Sequence, residues 1–285
     1  MNLLSIIKKE LNILGIKPKK SLGQNFLVNK NVYQKIITAL EIKKGDKIIE
    51  IGPGLGTLTS FLAESRAKVI AVEKDHKLVD YLKNKFANQK NVTIIEDDIL
   101  RFDPKNYKLK AKSYKLVGNI PYYLTSHLLR LIFEKWPSPK IVALTLQKEV
   151  AQRIVAKPPN MSLLAVSVQY YSRPGIVDYI PRRSFYPTPD VDSAIIKLVP
   201  QEQFATYRES TESCKPKTEN FFRIIRAGFS GKRKQLINSL AGGLKIKKDT
   251  IESKLKAAGI DPRRRAETLT LEEWQKITNT LPSPN

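Results

Sequence analysis

Four consecutive residues, Asn119-Ile120-Pro121-Tyr122, carry the most specific chemistry legible in the chain. The Asn119 amide oxygen and the Pro121 carbonyl are acceptors suited to hold an aromatic amine, whose lone pair is otherwise delocalised into its ring. Two such acceptors favour a more tetrahedral, more nucleophilic nitrogen, and Tyr122 offers a face on which a base stacks for ~1 to 3 kcal/mol. The plainer role of such a tetrapeptide is a turn set by Asn and Pro, so its position in the fold decides. A second candidate is Ser184-Phe185-Tyr186-Pro187-Thr188-Pro189, a rigid loop with adjacent aromatics. There Phe185 is placed to cover the other face of an extruded base, because a base inside a paired, stacked helix is out of reach of a modifying group. Its alternative is a core aromatic.

The segment Glu50-Ile51-Gly52-Pro53-Gly54-Leu55-Gly56 has glycines that permit a tight turn and close backbone approach to a ligand. Its G-x-G-x-G spacing differs from the G-x-G-x-x-G of dinucleotide enzymes. The preceding Glu50 would repel a pyrophosphate but suits a sulfonium and an ammonium, which favours S-adenosylmethionine over NAD. Seventeen residues past Gly56, Glu73 closes a strand-like run, where a carboxylate can accept hydrogen bonds from ribose hydroxyls. In Glu96-Asp97-Asp98-Ile99, one carboxylate can accept an adenine amine while Ile99 covers a ring face. Three acids in a row are often merely solvated, and what gives these weight is their order along the chain.

That order requires a particular scaffold. Short apolar, β-branched runs at 47–51, 68–72, 92–95, 115–118 and 141–146 read as buried parallel strands. Helical patterns at 59–65, 76–86 and 126–135 alternate with them, and a further helix at 148–157 follows. The expectation is an α/β, doubly wound, Rossmann-like sheet, with the Gly loop, both acids and Asn119 at the carboxyl ends of its strands. A last strand at 193–199 closes the sheet. Residues 200–220 are polar and linker-like, and from Phe221 the spacing of apolar residues predicts about three helices. Two domains follow: 1–200, holding the cofactor loop and a basic N-terminal arm, and 201–285, helical with its linker.

The 50 Lys and Arg against 27 Asp and Glu leave a net charge of +23, which points to a polyanionic partner. An A/T-rich codon supply is the other source of excess lysine. Lys8, Lys9, Lys17, Lys19 and Lys20 near the N-terminus suit phosphate contacts, while Leu3, Ile7 and Leu11 form the apolar face of an amphipathic helix packing on the body. A single cysteine, Cys214, and two distant histidines, His76 and His127, predict neither a disulfide nor a bound metal. With no apolar run near the ~20 residues that span a bilayer, a soluble, cytoplasmic protein without a membrane partner is expected. A monomer is the simplest state.

Together these segments resemble the ribosomal RNA adenine dimethyltransferases of the KsgA type. Residues 20–27, 50–56, 119–124 and 185–194 are similar to that family's N-terminal motif, glycine loop, N-[IL]-P-Y-x-[ILV] motif and F-x-P-x-P-x-V-x-S-A loop. The likeness continues through 221–229, 232–240 and 259–267. It implies a class I methyltransferase sheet of seven strands with a small helical domain, and S-adenosyl-L-methionine contacts from Asn25, Leu27, Gly52, Gly54, Glu73, Asp98, Ile99 and Asn119. It also implies Asn119, Pro121 and Tyr122 around the target amine, with Phe185 opposite. The substrate it implies is a pair of adjacent adenosines in the 3′-terminal hairpin loop of 16S rRNA, within an immature small ribosomal subunit. Lys232–Lys234 and Arg263–Arg265 would then meet phosphates. Tyr123 departs from the pattern, since that variable place often holds a smaller or polar residue. The erythromycin-resistance type, which methylates large-subunit RNA, shares the catalytic motifs; a non-catalytic assembly factor and an NAD dehydrogenase are more distant readings.

Overall fold

A computed structural model of the chain describes residues 2–18, 23–202, 215–231 and 233–281, without the side chains of Tyr122, Lys215 and Pro216. Lys19, Lys20, Cys214 and Lys232 therefore lie outside the described residues. The chain forms two compact units, 1–151 with 173–205, and 152–172 with 206–285.

The first unit is built on a seven-stranded sheet. Its strands are β2 (Lys47–Ile51), β3 (Lys68–Glu73), β4 (Val92–Glu96), β5 (Tyr114–Asn119), β6 (Ile141–Gln147), β7 (Ser172–Ile180) and β9 (Ser193–Pro200), and they run β4-β3-β2-β5-β6-β9-β7 across it. The short β1 (Phe26–Leu27) and β8 (Phe185–Tyr186) make a separate ladder. From β4 to β6 all neighbours are parallel, and β9 runs antiparallel to β6. Strands covered on both faces must be apolar almost throughout, and Ile48, Ile49, Leu116, Val142 and Leu146 are fully buried. Between β2 and β5 the strand order reverses, which opens a crevice at the carboxyl edge.

Helices cover the faces. α1 (Leu3–Ile13) buries Ile7 and Leu11, with Leu3 packed beside them, as its amphipathic pattern predicts. α2 (Lys30–Leu40) starts at Asn29, whose side chain accepts from the Asn31 N–H, and buries Val32, Tyr33, Ile36 and Leu40 along one face. α3 (Thr57–Glu64) leaves the glycine loop, and α4 (His76–Lys85) starts at Asp75, whose carboxylate accepts from the Lys77 N–H.

The amino edge of the sheet carries an ionic lock. Lys115 is only 2% exposed, and its ammonium donates to Asp46 Oδ2 at 2.6 Å and to the Glu41 carbonyl at 2.6 Å. Burial opposes ionisation of Asp46, but the Lys115 ammonium and the Lys43 N–H outweigh it and hold the carboxyl below its usual range. Removing the carboxylate strands a buried charge, so Asp46→Ala is expected to cost on the order of 3 kcal/mol. Lys115→Met, which removes the charge itself, should cost clearly less. Urea denaturation at neutral pH compares them. Because the folded-state pKa of Asp46 is depressed, the cost of Asp46→Ala relative to wild type should fade as pH falls through that lowered value.

In the second unit, the helix Leu163–Tyr171 packs with the C-terminal helices: Tyr170 stacks on Phe221 at 4.1 Å between centroids and Tyr171 on Phe222 at 5.4 Å. The sequence boundary at 200 assigned this segment to the first domain. The apolar run from Phe221 to Leu240 is two helices, Lys215–Gly228 and Leu236–Leu244, and Lys248–Ala257 and Leu271–Thr280 follow. So the described helices of this part number four, one more than the periodicity predicts, because Ser230-Gly231 breaks the run. The last helix opens with a reciprocal Thr270–Glu273 capping box.

Candidate active site

The glycine loop follows β2, Glu73 ends β3, Asp97 and Asp98 follow β4, and Asn119 ends β5. In parallel strands these positions share one edge, and all of them line a single cavity, together with Pro121 and Tyr123. Gly54 and Asn119 thus face the same space, the arrangement on which the sequence reading depends. The cavity has a volume of about 150 Å³ and is continuous with an open mouth.

The loop's backbone explains its glycines. Gly52, Gly54 and Gly56 all have positive φ, and a Cβ on Gly56 would stand 2.7 Å from both Leu82 and Phe86. Glu73 is 8% exposed and accepts from the backbone N–H groups of Gly54 (3.1 Å), Lys74 (2.8 Å) and Asp75 (3.0 Å). Burial still raises its pKa, with those N–H groups pulling the other way. Three of its roughly four acceptor positions are thus filled by backbone, which fixes the carboxylate and leaves acceptor capacity for a ligand. Asp98 is held by the Leu100 N–H at 3.0 Å and the Lys74 ammonium at 2.7 Å. Burial opposes its ionisation, and Lys74 and the Leu100 N–H more than compensate, keeping it below the ordinary carboxylate range. Ile99 is buried against the cavity wall beside it.

Glu50 lies deeper. It is 1% exposed, lines the cavity, and its Oε2 has no hydrogen-bond partner. Burial, with the negative charge of Glu73 adding to it, pushes its pKa up to about 8. A buried acid with one unpartnered oxygen in a cavity is a site for a cationic group, and a glycine cradle with two further carboxylates matches an adenosyl ligand carrying positive charge. These residues fit S-adenosylmethionine.

A strap formed by residues 23–27 roofs the cavity. β1 is stitched antiparallel to β8, with Phe26 opposite Tyr186 and Leu27 opposite Phe185, and Val28 N–H donates to the Ser184 carbonyl at 2.8 Å. Gly23, at φ +62°, lies so close to the turn after β5 that a Cβ there would fall 2.6 Å from Pro121 Cβ. The Asn119 Nδ2 donates to the Asn25 carbonyl at 2.8 Å. That bond orients the amide, because the reverse orientation would set two oxygens against each other, and it turns Oδ1 away from the strap. Leu124 N–H donates to the Pro121 carbonyl at 2.9 Å, closing the turn.

Asn25, Leu27, Gly52, Gly54, Glu73, Asp98, Ile99, Asn119 and Pro121 therefore meet at one cavity. The stacking expected of Tyr122 concerns a side chain outside the described part. Phe185 is not brought to the cavity: it is 3% exposed and packs with Leu27, Tyr33 and Ile36, because the β1–β8 ladder turns it toward the core. Sequence reasoning missed Lys74 as the partner of Asp98 and Phe26 as the ring that lies over Gly54. Only Lys74's place beside Glu73 gave a hint.

Among the described residues no helix is long and apolar enough to cross a membrane, and no cluster of His, Cys, Asp or Glu is arranged to hold a metal ion. Residues 15–282 match the family model described as ribosomal RNA adenine dimethylase. The chain is 45% identical over 277 residues to ribosomal RNA small subunit methyltransferase A of Dehalococcoides mccartyi strain CBDB1, covering 97% of this chain and 92% of the relative. It is 40% identical to the protein of that name from Moorella thermoacetica, covering 94% and 93%. Among solved structures, a dimethyladenosine transferase from Plasmodium falciparum superposes with a TM-score of 0.74 at 26% identity, over 88% of this chain and 95% of the other. The 23S rRNA methyltransferase ErmE superposes at 0.71 and 26%, over 90% and 99%. Since the likeness runs from the strap through the last helix, and the cavity has the chemistry such an activity needs, this chain belongs to the ribosomal RNA adenine dimethylase family.

Proposed function

We propose that this rRNA adenine dimethylase uses S-adenosylmethionine, bound in the cavity under the strap, to methylate the N6 amines of two adjacent adenosines in the 3′-terminal hairpin loop of 16S rRNA, within an immature small subunit. The observation that carries the reading is the oriented Asn119 amide on the same cavity wall as the glycine loop and Glu73. The names of the relatives support a small-subunit target, and the net charge of +23 supports a polyanionic one.

When bound, S-adenosylmethionine supplies an electrophilic methyl on a sulfonium, which an in-line displacement converts to a thioether. The protein's part is positional. Glu73 accepts from the ribose, Asp98 from the adenine amine of the cofactor, Ile99 covers that ring, and Gly52 and Gly54 let backbone approach. Glu50 balances the positive charge of the amino-acid end. Asn119 Oδ1 and the Pro121 carbonyl accept the two N–H bonds of the target amine, which keeps its lone pair out of the ring and aimed at the methyl carbon. Tyr122 stacks on the base, and Phe185 would have to leave its core position to cover the second face. Once the new N–C bond forms, the amine's extra proton leaves to solvent, and the monomethyl product retains one N–H for a second round.

The test is a map of methyl groups by mass spectrometry on rRNA from immature small subunits, incubated with the protein and labelled cofactor. Four methyl groups on two neighbouring adenosines of 16S rRNA are expected. Label confined to large-subunit RNA would sink the assignment.

A further inference from the structure

At the cavity mouth stands an aromatic side chain to which the reading above gives no task. Tyr123 lines the cavity yet is 61% exposed, more than any other described aromatic residue. The ring is not there because the backbone is loose: Tyr123 is the middle residue of a 3-10 turn, Tyr122–Leu124, closed by the Leu124-to-Pro121 hydrogen bond. Lys74, the residue after β3, lines the same cavity with 63% of its side chain exposed. Exposed rings flanked by basic side chains are how proteins hold single-stranded nucleic acid, the ring lying under a base.

Resting on the proposed function, we propose that Tyr123 is a stacking platform for the nucleotide next to the one being methylated, so that the second adenosine of the pair is held at the rim while the first is in the cavity. Lys74 remains tied to Asp98 and contributes field at the rim. Tyr123 then tunes substrate choice toward paired adenosines and has no part in the transfer step.

The test compares wild type with Tyr123→Ala, Tyr123→Phe and Tyr123→Trp on immature small subunits, reading KM for the particle, kcat, affinity for S-adenosylhomocysteine and the methyl count on each adenosine. Tyr123→Ala is expected to raise KM about tenfold, to leave S-adenosylhomocysteine affinity unchanged, and to accumulate RNA in which one adenosine is dimethylated and its neighbour bare. Phe and Trp should restore wild-type behaviour, since each keeps the ring face. A Phe variant as impaired as Ala would assign the effect to the hydroxyl and overturn the inference. So would an Ala variant that loses cofactor affinity in step with KM, which makes the ring a cofactor cover, or one that modifies the pair as wild type does. Wild-type protein that leaves small-subunit RNA unmodified overturns the functional reading itself, and this inference with it.

Discussion

Replacing Asn119 by Ala is expected to lower kcat for methyl transfer by about 10²- to 10³-fold, the usual consequence of removing one preorganised polar group that acts on the reacting atom. The loss follows from the amide's two ends. Nδ2 donates to the Asn25 carbonyl at 2.8 Å, which fixes where Oδ1 points, and in the proposed mechanism Oδ1 is the acceptor that holds the target amine. Asn119→Ala removes the acceptor and also leaves the strap carbonyl without its donor, so a modest rise in KM for the cofactor should accompany the fall in kcat. Asn119→Asp tests the orienting bond: it keeps an acceptor but sets a carboxylate oxygen against the Asn25 carbonyl. It should therefore lose both cofactor affinity and rate. Single-turnover transfer to immature subunits at saturating cofactor is the measurement, with particle binding as the control for folding. An Ala variant that transfers methyl at close to the wild-type rate would remove Asn119 from the chemistry, while one that binds particles without methylating them would separate an assembly role from the catalytic one.

What the sequence made legible follows from how local each feature is. The strands from β2 to β6 were readable because burial on both faces writes a continuous apolar run such as Ile141-Val142-Ala143-Leu144 into the chain. Once the parallel order was read, the shared edge of Gly54, Glu73, Asp98 and Asn119 followed from topology alone. The strap was not readable in this way. β1 is only two residues long, and its partner, Phe185–Tyr186, lies far along the chain, so no local period announces it. The same ladder explains why Phe185 faces the core while its place in the motif suggested the cavity. Tyr170 and Tyr171 likewise gave no sign that they stack on Phe221 and Phe222, because an apolar helix has the same composition whichever core it joins. Glu50 was visible as a charge of the right sign, but its near-complete burial and unpartnered oxygen are properties of the packed sheet.

Affinity for S-adenosylmethionine should peak near pH 8 and fall on both sides, the acid limb belonging to Glu50. Burial raises the pKa of this carboxyl to about 8, and the Glu73 charge adds to the shift, so in the cofactor-free chain at pH 7 most molecules carry the proton. A cationic ligand prefers the ionised form, so its binding expels that proton. Affinity then weakens as pH drops below about 8, by at most about tenfold per unit. Above that point the ligand's own α-amine, with an ordinary pKa of about 8, loses its charge and the attraction fades. Calorimetric titrations from pH 6 to 9, chosen to bracket the two values of about 8, should show the bell. Glu50→Gln should remove the acid limb and keep the alkaline one. 5′-Methylthioadenosine, which lacks both the ammonium and the sulfonium, should show no acid-side loss, and an acid limb persisting there would move its origin to Glu73. Linkage sets the sign for folding as well. A carboxyl whose folded pKa is raised favours the fold fully below its unfolded value and loses that contribution as pH climbs through about 8. The cofactor-free protein should therefore lose stability as pH rises from about 4.5 to about 8, the Gln variant should resist that loss, and bound cofactor should offset it by giving the buried carboxylate the cation it otherwise lacks.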